Sequence, residues 1–126
     1  MVDDLYKNVG GSKTISKLVT VFYDKVAAAP GLSKYFAHTD METLRSRQAM
    51  FLTMLFGGSR KFSGRDLAAA HASSRKEGLA DADFDALLAV FRESLVEVGV
   101  APAYAEEAMA RLESTRSAVL GRQNPA

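Results

Sequence analysis

Four stretches of this chain carry apolar residues at intervals of three and four, and each ends at a glycine or a proline–glycine pair. That spacing gathers apolar side chains on one helix face, and the stops limit how far each helix runs. In "GGSKTISKLVTVFYDKVAAAPG" the stripe is Ile15, Leu18, Val19, Phe22 and Val26, with Ser12 as the expected N-cap and Pro30-Gly31 as the end. "TDMETLRSRQAMFLTMLFGG" starts at a Thr39 or Asp40 cap, runs through Met41, Leu44, Phe51, Leu52 and Leu55, and stops at Gly57-Gly58. "ADADFDALLAVFRESLVEVGV" carries Phe84, Leu87, Leu88, Phe91, Leu95 and Val98 before Gly99. "APAYAEEAMARLESTRSAVLG" follows as one helix to Gly121, with Glu107 and Arg111 one turn apart. Shorter helical pieces are expected at residues 3–9, 32–38 and 63–74, and no strand pattern occurs. The expected class is all-α, with three or four long helices.

The chain has 126 residues, enough for one domain spanning 1–126 with a real core. Its 16 basic and 15 acidic residues are interspersed, so no electrostatic footprint for nucleic acid or a membrane surface is visible. The absence of cysteine excludes disulfides, thiolate zinc sites, iron–sulfur clusters and C-x-x-C-H haem attachment. "MVDDLYKNVGG" is acidic and lacks an apolar run, and no apolar stretch is long enough to span a bilayer. A soluble cytoplasmic protein is the expectation.

Three residues place a polar group where the pattern predicts burial: Tyr23 beside the first stripe, Gln48 inside the second, and His71 after "DLAAA". Burial without a partner costs each about 1 to 3 kcal/mol. For His71 that partner is either a backbone carbonyl or a metal. Zinc needs three or four protein ligands, but the chain has only two histidines, and His38 sits in a connecting segment far from His71. A di-iron bundle needs Glu-x-x-His, whereas Ala68 and Tyr35 stand three residues before the two histidines. Haem needs a single protein ligand, because its macrocycle supplies the equatorial ones. "GGSKT" lacks the glycine–lysine step and preceding strand of a phosphate loop, and reads as a helix cap. No nucleophile–base spacing occurs, and Asp81/Asp83 and Glu106/Glu107 read as first-turn residues complementing helix dipoles.

The segments "LYKNVGG", "VFYDKV", "KYFAHTDMETLRSRQAMFLTMLFGG", "FSGRDLAAAH" and "GLADADFDALL" together resemble the group I truncated haemoglobins, from Leu5 to about Leu120. The resemblance implies a globin-like two-over-two helical sandwich around one haem b. It makes His71 the iron ligand, Tyr23 the distal tyrosine, and Gln48 the glutamine that assists it. Phe36 resembles the phenylalanine packed on the haem face, Leu44 the distal gate and Phe51 a distal wall, while Phe62, Leu67, Phe84 and Leu88 are expected to line the rest. Arg47 resembles a residue at the haem edge; since arginine keeps its proton, a propionate is its expected partner rather than the iron. A carbonyl around Leu67 is expected to accept from the other ring nitrogen of His71. One departure is "HASSRKEGL", which delays the glycine after the histidine to Gly78, as in the cyanobacterial-like branch.

The resemblance implies diatomic gas ligands (oxygen, nitric oxide and carbon monoxide) with Tyr23 and Gln48 as donors. Oxygen transport or storage, and nitric oxide dioxygenation with a reductase partner, are its two expected functions. Gas sensing or electron transfer without turnover is the alternative, and a haem-free helical interaction domain is the reading if His71 is only a bonded core histidine. A monomer or weak dimer is expected.

Overall fold

The computed structural model describes residues 5–36, 39–57 and 68–122, and all regular structure among them is helical. In order the elements are α1 (Leu5–Val9), α2 (Gly11–Ala27), a 3-10 turn (Ser33–Phe36), α3 (Met41–Phe56), α4 (Ala72–Lys76), α5 (Asp81–Glu97), α6 (Pro102–Glu113) and α7 (Arg116–Val119). Residues 68–70 are also helical. The long helices form two pairs, α2 with α3 and α5 with α6, joined through the packing of α2 on α5. Short α1 bridges α2 and α6.

The predicted stripe of α2 is its buried face: Ile15, Leu18, Val19, Phe22 and Val26 all lie in the core. Leu18 meets Leu52 and Phe56 of α3 and Leu95 of α5 in one apolar cluster, and none of these four retains measurable exposure. Across the α2–α5 contact the rings of Phe22 and Phe91 stand 5.1 Å apart. A second face of α3, carrying Leu44, Gln48 and Phe51 at helical spacing, stays half-buried.

Several boundaries differ from the sequence reading. Helix α2 is capped by Gly10 rather than Ser12, because α1 closes at Val9 and the chain turns helical again at Gly11, leaving Ser12 inside the first turn. It ends at Ala27, ahead of Pro30-Gly31, in successive turns where Ala29 donates to Val26 and Leu32 to Ala29. Asp40 is the cap of α3, accepting from the Thr43 amide at 2.9 Å. The last helical stretch is broken after Glu113: the Thr115 hydroxyl donates to the Leu112 carbonyl at 2.7 Å and that of Ser114 to Arg111, competing with the helical ladder.

Arginines secure helix ends from outside. The last carbonyls of a helix have no amide partner of their own, and Arg111 of α6 donates from Nη1 to two such carbonyls at the end of α3, Leu55 (3.0 Å) and Phe56 (3.1 Å). Arg116 gathers Asp81, Asp85 and Glu113 around it, and its guanidinium lies 4.7 Å from the centre of the Phe84 ring. Hydrogen bonds from Arg122 and Arg116 hold the Asp81 carboxyl below the usual carboxylate range.

Truncating Leu18 to alanine opens a cavity where both helical pairs meet. Leu18→Ala is expected to lower unfolding free energy by about 2 to 5 kcal/mol, read as a reduced urea midpoint at unchanged m-value.

Candidate functional site

Tyr23 owes its place to the register of α2. One residue beyond Phe22, it is rotated off the α5-facing stripe, and its ring makes edge-to-face contacts with Phe22 (5.1 Å) and with Phe36 of the 3-10 turn (5.4 Å, 79°). The side chain is only 4% exposed, yet its hydroxyl bonds to no described residue. Among those residues no fully buried side-chain oxygen lacks a partner, so the exposed remnant of Tyr23 includes that hydroxyl. Desolvation pushes its pKa to about 12, leaving it a proton donor at any physiological pH.

Gln48 and the apolar side chains Leu44 and Phe51 share the half-buried face of α3, and Phe36 is half-buried beside Tyr23. Arg47, one residue from Gln48, is exposed. His71 is half-buried and stands where helicity is interrupted, between residues 68–70 and α4, so the piece expected at 63–74 is not continuous through it. Its backbone has φ −106° and ψ 10°, and its carbonyl accepts from the Arg75 amide at 3.0 Å. Helix α4 closes with Gly78 amide to Arg75 carbonyl and Leu79 amide to Ser74 carbonyl, both 3.0 Å, a double bond pattern that needs φ +107° at Gly78 and therefore glycine.

Phe84 is buried near the start of α5, beneath Arg116. Leu88, one turn on, is half-buried and lines an open groove of about 420 Å³ between α5 and α6 that Met109 also lines. Phe62, Leu67 and His38 lie outside the described residues, as does the carbonyl expected to accept from His71. Among the described residues no group of three or more histidine, aspartate or glutamate side chains converges to hold a metal ion, and no helix is long and apolar enough to cross a membrane.

The four carboxylates read as dipole partners do more specific work. Asp81 pairs with Arg116 (3.0 Å) and Arg122 (2.7 Å), Glu106 with Arg92, and Glu107 with Arg111 at 2.9 Å. Asp83 accepts from the Tyr35 hydroxyl, joining the 3-10 turn beside Phe36 to the start of α5. Sequence reading did not single out Tyr35 or Arg75, and it paired Arg111 with Glu107 but not with the carbonyls closing α3; a tyrosine adjacent to Phe36 was the one available signal for the first, and its partner stands 48 residues away.

Set beside known proteins, residues 4–121 match the family described as bacterial-like globin. A group 1 truncated haemoglobin of Chlamydomonas moewusii is 36% identical over 92% of this chain and 67% of its own length. That of Tetrahymena pyriformis is 34% identical over 94% and 95%. Among solved structures, the two-over-two haemoglobin of Synechococcus sp. PCC 7002, in its cyanomet state and with covalently attached haem, superposes with a TM-score of 0.86 at 33% identity, covering 94% of this chain and 98% of that one. The helical pairing is thus the two-over-two sandwich. The chain belongs to the bacterial-like globins and, within them, to the group 1 truncated haemoglobins.

Globins of this family bind haem. The residues present fit such a group: a half-buried imidazole, half-buried apolar side chains at Phe36, Leu44 and Phe51, and a sheltered phenol with no acceptor among the described residues.

Tyr35, like Tyr23, is pushed up to about 12, by burial first and then by its bond to Asp83. Both phenols have raised pKa values, so the stability they support is intact below the ordinary value of 10.0 and is lost as pH climbs toward 12, where an unfolded chain already releases these protons. Tyrosinate absorbance of the folded protein should therefore show two late-ionising phenols, and Tyr23→Phe should leave one.

Proposed function

We propose that this chain binds one haem b through His71 and holds a diatomic gas, oxygen in the first place, against Tyr23 and Gln48. When bound, haem supplies an iron that takes up such a gas reversibly. The observation that carries this reading is the Tyr23 hydroxyl, sheltered in the interior, kept protonated, and bonded to no described side chain or carbonyl. A donor in that condition is available to a ligand without first breaking a bond to any described residue, and the Phe22 and Phe36 contacts fix its ring beforehand.

Gln48 offers a second N–H donor from α3, while Phe36, Leu44 and Phe51 keep water from competing. Phe62, Leu67, Phe84 and Leu88 complete the apolar lining in this reading. Arg47, exposed and permanently charged, pairs with a propionate at the cleft edge. A hydrogen bond from Tyr23 to a polarised ligand contributes about 1.5 to 3 kcal/mol, which slows release by roughly one to two orders of magnitude. The function this supports is slow-release oxygen binding.

Tyr23→Phe keeps the ring and removes the donor, and oxygen dissociation measured by stopped-flow replacement with carbon monoxide should accelerate about tenfold or more; an unchanged rate overturns the role of Tyr23. His71→Ala removes the imidazole, and the purified variant should lack a stable Soret band. Undiminished haem retention there overturns His71 as the ligand.

A further inference from the structure

Helix α4 has no buried side chain, although it directly follows His71. Apolar packing, which fixes α2, α3 and α5, therefore contributes little through the side chains of α4 itself, and a polar contact supplements it. Arg75 supplies that contact. From a single nitrogen, Nη1, it donates to the carbonyl of Ala68 at 2.8 Å and to that of Val119 at 3.0 Å. Ala68 lies in the last helical turn before His71, and Val119 ends α7, so both carbonyls belong to helix ends, where the regular amide ladder runs out. Arg75 thus ties the chain on both sides of His71 to the C-terminal helix.

The sequence at the other end accommodates this. Gly121 passes so close to the guanidinium that a Cβ there would stand 2.9 Å from Arg75 Nε and 3.0 Å from its Cζ. Its φ of +73° also disfavours a larger residue. Residues more than forty positions apart therefore converge on one contact that no apolar stripe requires.

We propose that Arg75 is a positioning residue for His71: by clamping residues 68–76 onto α7, it sets the orientation the imidazole presents to haem iron. The proposal rests on His71 being the iron ligand. Two charge-assisted bonds to carbonyls at helix ends are strong enough to bias the orientation of a short helix, and a ligand held in the wrong orientation binds its metal more weakly.

The test compares Arg75→Met, which keeps the stem and loses both donors, with Arg75→Lys, which keeps N–H donors on a different head group, and with Arg92→Met, which removes an arginine paired to Glu106 on α6. In the ferrous, ligand-free holoprotein, resonance Raman reads the iron–histidine stretching band, and transfer to excess apomyoglobin reads haem loss. Arg75→Met is expected to shift or broaden the band and to speed haem loss roughly tenfold, Arg75→Lys to fall between it and the parent, and Arg92→Met to match the parent. An unmoved band and unchanged haem loss in Arg75→Met overturn the proposal even if its melting temperature falls, and so does an equal effect of Arg92→Met. If Arg75→Met does not fold, Arg75→Lys is judged by the same two measurements. Should the parent, with its ferrous haem five-coordinate and high-spin by absorption spectrum, show no iron–histidine band, the assignment of His71 fails instead. Hydrogen exchange of amides 72–76 in the haem-free chain then decides the clamp, faster exchange in Arg75→Lys supporting it and equal exchange overturning it.

Discussion

The burial of one face of α2 is the constraint on which the remaining architecture depends. Ile15, Leu18, Val19, Phe22 and Val26 form a face wide enough to be covered only by two partners at once, α3 on one side and α5 on the other. Each fully buried side chain of this size stabilises the fold by about 1.5 to 3 kcal/mol, and a shift of α2 by one residue would replace part of that face with Ser16 and Thr20, or in the other direction with Lys17, all of which are exposed. The register that buries Phe22 is the same register that aims Tyr23 away from α5 and toward Phe36. Position of the phenol is thus set by packing energy rather than by any bond the phenol makes.

Helix ends present the complementary problem, because each leaves backbone carbonyls without amides. Glycine solves it at Gly78 through backbone geometry, whereas α3 is closed by Arg111 reaching across from α6. The choice has a consequence for architecture. A glycine cap is local and ties nothing together, but an arginine from another helix satisfies the carbonyls and fixes the relative placement of two elements at once. Such contacts add a polar tie between elements that already share the apolar core, here α3 and α6.

The apolar stripes of α2, α3 and α5 were legible because a helix buried on one side writes its period into the sequence, and His71, Tyr23 and Gln48 stood out as polar groups on faces expected to be covered. What stayed hidden has a common physical character. The break at Ser114 and Thr115 depends on hydroxyls choosing backbone carbonyls over solvent, which the apolar spacing of Ala105, Met109, Leu112 and Val119 does not register. The roles of Arg75, Arg111 and Tyr35 depend on partners 44 to 56 residues away or more locally on a helix interruption, and an isolated arginine or tyrosine carries no mark of which carbonyl or carboxylate it will meet. Residues expected at the cofactor that could be located, among them Phe36, Leu44 and Phe51, were reached through family resemblance, since apolar spacing alone would assign Leu44 and Phe51 to the same stripe as fully buried Leu52.

The two sides of the candidate site are therefore built from different forces. Tyr23 and Gln48 stand on helices of 17 and 16 residues anchored in the core, where moving a side chain means disturbing close-packed apolar contacts. His71 stands at an interruption followed by a five-residue helix with no buried side chain, held by hydrogen bonds to carbonyls at helix ends. Packing forces are insensitive to single polar substitutions, and hydrogen-bonded clamps are insensitive to small changes of apolar volume. Variation in polar residues such as Arg75 can thus shift the imidazole side while Tyr23 and Gln48 stay where α2 and α3 put them. Under the proposed reading of the site, in which His71 holds the iron and Tyr23 and Gln48 face the gas, the two contacts are separately adjustable within one small fold.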